Sequence, residues 1–274
     1  MSHKRIFITG GASGLGRAIA LRYARAGWRV CIGDVHAQRG ADTLAELQAL
    51  SPSSLYVPCD VTREEDLRAV AERLTADWGG VDVVVNNAGV AQAGAIDEVS
   101  VADWQWIVDI NLLGVVRGCH VFTPVFKRQG HGHFVNVASM AGLLDMPMMS
   151  SYNATKAAVV SLSETLQNEF ADTRLGVSLV CPSFFKTNLA DSLRSPRPGM
   201  HKVINKLLER SKITADDVAE RIYQAVDKRE FYVLPHIEGL QAWLAKRLLP
   251  RRIYTELLKT QTRKMRGFGT APSA

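Results

Sequence analysis

Tyr152 and Lys156 stand four residues apart, thirteen residues after Ser139. On a helix, positions i and i+4 share a face about one turn apart, so an ammonium can sit beside a phenol. A phenol with an ordinary pKa near 10 is a poor base at neutral pH, and a nearby positive charge draws that pKa towards the working range. The chemistry on offer is proton removal from an alcohol oxygen, or proton delivery to a carbonyl oxygen. The spacing alone is weak evidence, because a solvated pair on a surface helix looks the same.

A second segment gives the pair a purpose. The turn Thr9-Gly10-Gly11-Ala12-Ser13-Gly14-Leu15-Gly16 follows a short apolar run. Glycine lets the chain turn tightly and lets a pyrophosphate approach bare amides at a helix N-terminus. A plain strand-to-helix turn is the competing reading. Asp34 closes the next apolar run, Val30-Cys31-Ile32-Gly33, 24 residues after Gly10. A carboxylate there accepts hydrogen bonds from the adenosine ribose and repels a 2′-phosphate, favouring NAD over NADP. Arg17, His36 and Arg39 are nearby cations that pull the other way, and Asp34 could simply cap the next helix. If both segments share one site, the chain is a nicotinamide-dependent oxidoreductase.

The elements that must position these residues alternate. Strands are predicted at 5–9, 29–33, 55–58, 81–86, 133–138, 176–181 and 230–234, with helices near 14–26, 37–50, 63–77, 103–128, 151–171 and 214–228. Nearly continuous apolar runs such as Val81-Asp82-Val83-Val84-Val85 mark strands covered on both faces. The expected fold class is therefore α/β, a doubly wound (Rossmann) seven-stranded parallel sheet flanked by helices. One catalytic domain is assigned to 1–236, a basic amphipathic extension to 237–266 and a frayed tail to 267–274. The segment 183–212, with Ser195-Pro196-Arg197-Pro198-Gly199, reads as a long loop carrying short helices, of the kind that lids a site.

Composition narrows the function classes. A chain of 274 residues with 47% hydrophobic content suits one large soluble domain. No apolar stretch reaches the 18 residues of a membrane span, and the residues before Gly10 are too few for a signal-peptide core, so a cytoplasmic protein is expected. Cys31, Cys59, Cys119 and Cys181 form no Cys-x-x-Cys pair and are expected as buried, reduced thiols. No histidine spacing suggests a metal; His131 and His133 lack a third ligand nearby. The net charge of +6 is unevenly placed: from Gly239 onward stand eight basic residues and one acidic, a balance of +7, which leaves −1 for the rest. A nearly neutral body gives no reason to expect nucleic acid as ligand.

Thr9-Gly10-x-x-x-Gly14-x-Gly16, Asp60-Val61, Asn86-Asn87-Ala88-Gly89, Asn111, Ser139, Tyr152-x-x-x-Lys156 and Pro182 with Thr187 occur in this order. The set resembles the short-chain dehydrogenase/reductase family over about residues 4–234. The resemblance implies a catalytic tetrad in which Tyr152 exchanges the substrate proton. Lys156 would lower the tyrosine pKa and bind the nicotinamide ribose, Ser139 would hold the substrate oxygen, and Asn111 would anchor a water leading to solvent. It implies that Gly10, Ser13, Gly14, Leu15 and Gly16 cradle the cofactor and that Asp60 and Val61 lie against the adenine. Asn87, Ala88 and Gly89 would flank the adenosine ribose, while Pro182 and Thr187 would hold the nicotinamide end. It also implies a homodimer or homotetramer. One departure stands out: Pro182-Ser183 replaces the family's usual Pro-Gly, and serine tolerates positive φ poorly, so this loop is expected to take a different course.

Leu143, Leu144, Met146, Met148 and Met149 follow Ser139, and Phe184, Phe185 and Leu189 open the long loop. Such apolar surroundings favour a hydrophobic secondary alcohol or ketone, though the same residues could only pack the lid. Beyond the family core, Ile237, Leu240, Trp243, Leu244 and Leu248 recur at helical spacing beside Lys246, Arg247, Arg251 and Arg252. This extension is expected to cover the substrate loop or meet another subunit, with a membrane surface as the alternative. Two competing functions remain at this point: an NADP-linked carbonyl reductase, and a non-catalytic nucleotide-binding sensor or scaffold.

Overall fold

The computed structural model describes residues 4–209 and 211–262. The tail assigned to 267–274, and the last part of the extension, lie outside them. Seven parallel strands form one sheet: β1 (Arg5–Thr9), β2 (Arg29–Asp34), β3 (Leu55–Pro58), β4 (Val83–Asn86), β5 (Gly132–Val137), β6 (Leu175–Val180) and β7 (Tyr232–Val233). Their order is β3-β2-β1-β4-β5-β6-β7, so the winding reverses direction between β1 and β4. The register brings Ile8 beside Val85 and Asn86 beside Asn136. All strand C-termini therefore open at one edge, where ligands of such sheets bind.

The connecting helices are α1 (Gly14–Arg25), α2 (Ala37–Leu50), α3 (Glu64–Trp78), α4 (Val101–Val108), α5 (Gly114–Gln129), α6 (Ser150–Glu169), α7 (Met200–Glu209) and α8 (Ala215–Asp227), followed by α9 (Ile237–Leu248) and α10 (Arg251–Gln261). One apolar cluster lies on each sheet face. Phe7, Phe122, Phe126 and Phe134 centre one, and Ile6, Ile8, Ile19 and Ile32 the other. Every residue of β4 is buried, as a strand between two helical layers requires.

Several elements differ from the sequence expectation. The helix expected over 103–128 is broken into α4 and α5 by a π-helical turn at Asp109–Leu113, the kind of bulge that re-aims side chains near functional sites. Taken as one run, Val101–Gln129 is long and apolar enough to cross a membrane by length and composition, contrary to the expectation that no segment is. Its apolar residues Val115, Val121, Phe122, Val125 and Phe126 are nevertheless buried in the domain core. The last strand shrinks to two residues because only Leu179 and Val180 pair with it. The extension breaks at Pro250 into α9 and α10, since proline cannot donate the amide that a continuous helix needs.

The inner face of α9 packs on the segment after β5. A side chain on Gly239 would press on Met140, and Lys246 Nζ donates to the Leu143 carbonyl at 2.9 Å and to Asp145 at 2.8 Å. The extension therefore braces the segment between Ser139 and Tyr152.

Candidate active site

A cleft of about 690 Å³ opens at the C-terminal edge of the sheet. Its cofactor end is built from backbone. Gly10 and Gly14 take left-handed φ values of +63° and +52°, which side-chain-bearing residues rarely adopt. Gly16 is needed for space: a Cβ there would stand 2.1 Å from the Gly10 carbonyl oxygen. Helix α1 begins at Gly14 with no side-chain cap and no acidic residue in its first turn. Its free amides and positive dipole end thus face the cleft, as a pyrophosphate would require.

Thr9, buried at the end of β1, ties this turn to the next strand. Its Oγ1 accepts from the Asn87 and Ala88 amides at 3.0 and 3.1 Å, while Asn87 Nδ2 donates to the Thr9 and Gly10 carbonyls at 3.0 and 3.1 Å. Asp34, buried at the end of β2, accepts from the Ala12 and His36 amides, each at 3.0 Å. Asp60 Oδ1 accepts from the Thr62 amide and hydroxyl. Gly10, Ser13, Gly14, Leu15, Asp34, Asp60, Val61, Asn87, Ala88 and Gly89 all line the cleft; Gly16 lies behind its wall.

At the other end Ser139, Tyr152, Lys156, Pro182 and Thr187 line the same cleft. Tyr152 and Lys156 are buried on α6, whose first turn is fixed from several directions. Ser151 Oγ donates to Gln92 at 2.5 Å, and Asn153 Nδ2 donates to the Met146 carbonyl at 2.8 Å. The segment before α6 holds Met148 at φ +66°, strained for a residue with a side chain, and the Gly94 amide donates to its carbonyl at 2.8 Å.

Burial raises the Tyr152 phenol above its ordinary pKa, and hydrogen bonding with Ser139 opposes that rise. Lys156 Nζ donates to the Val137 carbonyl at 3.0 Å and stands 5.8 Å from the centre of the Tyr152 ring. Burial lowers its pKa to about 8. The arrangement thus differs from a simple ammonium-phenolate contact: burial dominates at both groups, and the ammonium sits over the ring.

Asn111 is fully buried in the π-helical turn, behind the cleft wall. Its Oδ1 accepts from the Val90 amide at 2.8 Å and its Nδ2 donates to the Val90 carbonyl at 2.9 Å. One amide proton and one lone pair are left for any further partner. A Cβ added to Gly89 would approach Asn111 Oδ1 at 3.2 Å and Lys156 Nζ at 3.6 Å, so glycine keeps these two side chains within reach of each other.

Ser183 does not take positive φ, so the strain that serine would suffer there is absent. Its amide donates to His236 Nδ1 at 3.1 Å, which fixes the loop course from the base of α9. Of the expected apolar lining, Leu144, Met146, Met149, Phe184, Phe185 and Leu189 face the cleft, whereas Leu143 packs into the core and Met148 stands off the wall. Sequence reasoning missed Val90, Ala91, Ile204 and Leu208 in the wall, and Gln92 and His236 behind it. The signal for α7 was available, because Met200, Ile204 and Leu208 recur every four residues. Nothing in local sequence marks Gln92 or His236. Among the described residues, no group of three or more His, Cys, Asp or Glu side chains is placed to hold a metal. Burial pushes the thiols of Cys59, Cys119 and Cys181 up to about 12.

The family model described as short chain dehydrogenase matches residues 4–198. The chain belongs to the short-chain dehydrogenase/reductase family. It shares the family's Rossmann fold. It is 33% identical over 234 residues to the probable oxidoreductase EphD of Mycobacterium tuberculosis, an alignment covering 82% of this chain and 40% of that protein. The chain thus spans about two fifths of that relative's length. A short-chain dehydrogenase/reductase of Burkholderia phymatum, solved with NAD, is 32% identical; the match covers 100% of this chain and 98% of that one, with a TM-score of 0.84. An alcohol dehydrogenase of the archaeon Thermococcus sibiricus, solved with 5-hydroxy-NADP, is 26% identical with a TM-score of 0.73, covering 85% of this chain and 95% of that one. Solved relatives thus carry either type of nicotinamide cofactor.

Proposed function

We propose that the protein interconverts a hydrophobic secondary alcohol and its ketone, with NAD as cofactor and Tyr152 as the general acid and base. The observation that carries this reading is a single cleft lined at one end by the glycine turn and Asp34 and at the other by Ser139, Tyr152 and Lys156. The residues fit a dinucleotide: the glycines leave no Cβ over the α1 amides, and the Asp34 carboxylate stands where ribose hydroxyls would donate to it. When bound, the nicotinamide accepts or returns the hydride.

Ser139 hydrogen-bonds the substrate oxygen and aligns it with the phenol. In ketone reduction Tyr152 donates its proton to that oxygen; its raised pKa keeps the proton in place at neutral pH. Lys156, charged below about pH 8, offsets the phenolate left behind. In alcohol oxidation the same phenolate takes the proton back, a step that higher pH assists. Asn111 holds the Val90 backbone that closes this end, and its unused amide proton and lone pair can hold a water. Apolar walls from Leu144, Met146, Met149, Phe184, Ile204 and Leu208 support a hydrophobic substrate.

One observation favours a second reading, NADP-linked carbonyl reduction. Arg39 lines the cleft beside Asp34 and reaches Asp191 at 3.4 Å, a reach that would also serve a 2′-phosphate. Nicotinamide absorbance, followed with secondary alcohols and ketones of rising chain length, tests both readings. Turnover should rise with chain length, favour NAD, and be lost in Tyr152→Phe. Best turnover of short polar alcohols would overturn the substrate class. NADP preference would select the second reading, and a chain that binds nucleotide but turns over nothing would be a sensor or scaffold.

A further inference from the structure

The outer side of α9 and the exposed part of α10 combine large apolar side chains with cations. On α9, Ile237, Leu244 and Leu248 fall within about 40° of one another at 100° per residue, the side opposite Gly239 and Lys246, which face the domain. They are 68%, 42% and 78% exposed. On α10, Ile253 and Leu257 are 51% and 49% exposed one turn apart. Five of the eleven large exposed hydrophobic side chains of the described structure thus stand on these two helices.

Most arginines of the domain pair with a carboxylate, as Arg5, Arg22, Arg117, Arg197 and Arg221 do. Arg247, Arg251 and Arg252 have no carboxylate within 4.0 Å among the described residues, and all three are exposed. Exposed apolar side chains accompanied by cations that no carboxylate neutralises are what a helix in a bilayer interface presents to acyl chains and to lipid phosphates. A second copy is the poorer occupant, because a two-fold contact through this face would lay one cationic surface against another.

We infer that this face docks on an anionic lipid surface. The inner side of α9 rests on Met140 and Leu143, so docking would bring the bilayer next to the segment that forms the apolar wall of the cleft. The inference stands on the surface alone and does not depend on the proposed reaction.

Co-sedimentation of the full chain with vesicles tests it, comparing pure phosphatidylcholine with an equal mixture of phosphatidylcholine and phosphatidylglycerol. Binding should appear on the mixed vesicles and weaken with salt. Replacing Arg247, Arg251 and Arg252 by Gln should weaken it on the order of 10²-fold, at about fivefold per cation. Leu244→Ser with Leu248→Ser should also abolish it. Circular dichroism and NAD binding should stay unchanged, since these side chains lie outside core and cleft. No sedimentation with mixed vesicles, or full retention by the arginine variant, overturns the inference. So does a dimer in light scattering that the leucine variant dissociates, if vesicles are not bound; that result assigns the face to a second copy.

Discussion

The two ends of the cleft are made by different means. The glycine end is backbone: glycines at 10, 14 and 16, bare helix amides and a network centred on Thr9, gathered where the adjacent strands β2, β1 and β4 end. The substrate end is side chain: Met146, Phe184, Ile204 and Leu208 arrive from segments up to 62 residues apart and are braced by a helix beyond the family core. A backbone cradle serves a constant ligand and tolerates little change, whereas a wall of apolar side chains can be resized one residue at a time. The join between them is the first turn of α6, where Tyr152 meets Ser139 and Lys156.

The largest test strikes that join. Tyr152→Phe should lower kcat by roughly 10²–10⁴-fold while leaving the Kd for NAD nearly unchanged, since only the phenolic hydroxyl is removed; steady-state kinetics and a fluorescence titration check both. At the cofactor end, Gly16→Ala puts a methyl 2.1 Å from the Gly10 oxygen. It should cost about 1–3 kcal/mol or more in urea unfolding and remove NAD binding. Asp34→Asn keeps an oxygen acceptor but drops the charge. The ratio of NAD to NADP affinity, measured by titration, should fall about tenfold or more, with a stability loss of about 1–3 kcal/mol because one of the two amides held by Asp34 then faces an NH2 group.

A pH test probes the join from another side. Lys156 has its pKa lowered to about 8 in the fold against 10.5 ordinarily, so between those values the unfolded chain holds more protons than the folded one. Lys156 therefore contributes a rise in stability with pH across that window, by at most about 1.4 kcal/mol per pH unit, which the buried thiols oppose because the unfolded chain gives up their protons first; the stability of the wild type relative to Lys156→Met should increase from pH 8 to pH 10. Chemical denaturation at pH 8 and pH 10 checks the sign. The smallest effect belongs to the substrate wall: Ile204→Val should cost about 0.5–1.5 kcal/mol and raise KM for a long-chain substrate less than tenfold, with KM for NAD unmoved.

The same contrast explains what was legible beforehand. The positions of β1, β3 and α2 follow directly from short-range patterns. The glycine turn, Asp34 and the Tyr152–Lys156 spacing are local in sequence, so the residues that line the two ends of the cleft could be singled out from residue types and order. Gln92, His236 and the π-helical turn around Asn111 were not legible. Each acts on a partner 59, 53 or 21 residues away, and no local pattern encodes such a meeting.

The tyrosine shows where local reading ends. Spacing placed a cation one turn from the phenol, yet how strongly the two interact depends on desolvation, which is set by everything packed around α6 rather than by α6 itself. By itself the sequence determined the alternation of strands and helices, the glycine turn and the one-turn spacing of Tyr152 and Lys156, because these rest on backbone conformation and periodicity within short windows. Only the tertiary structure decided that Lys156 sits on the Val137 carbonyl, that Asn111 closes on Val90, and that α9 turns one face to the domain and the other outward, because burial and long-range contact exist only once the chain has folded.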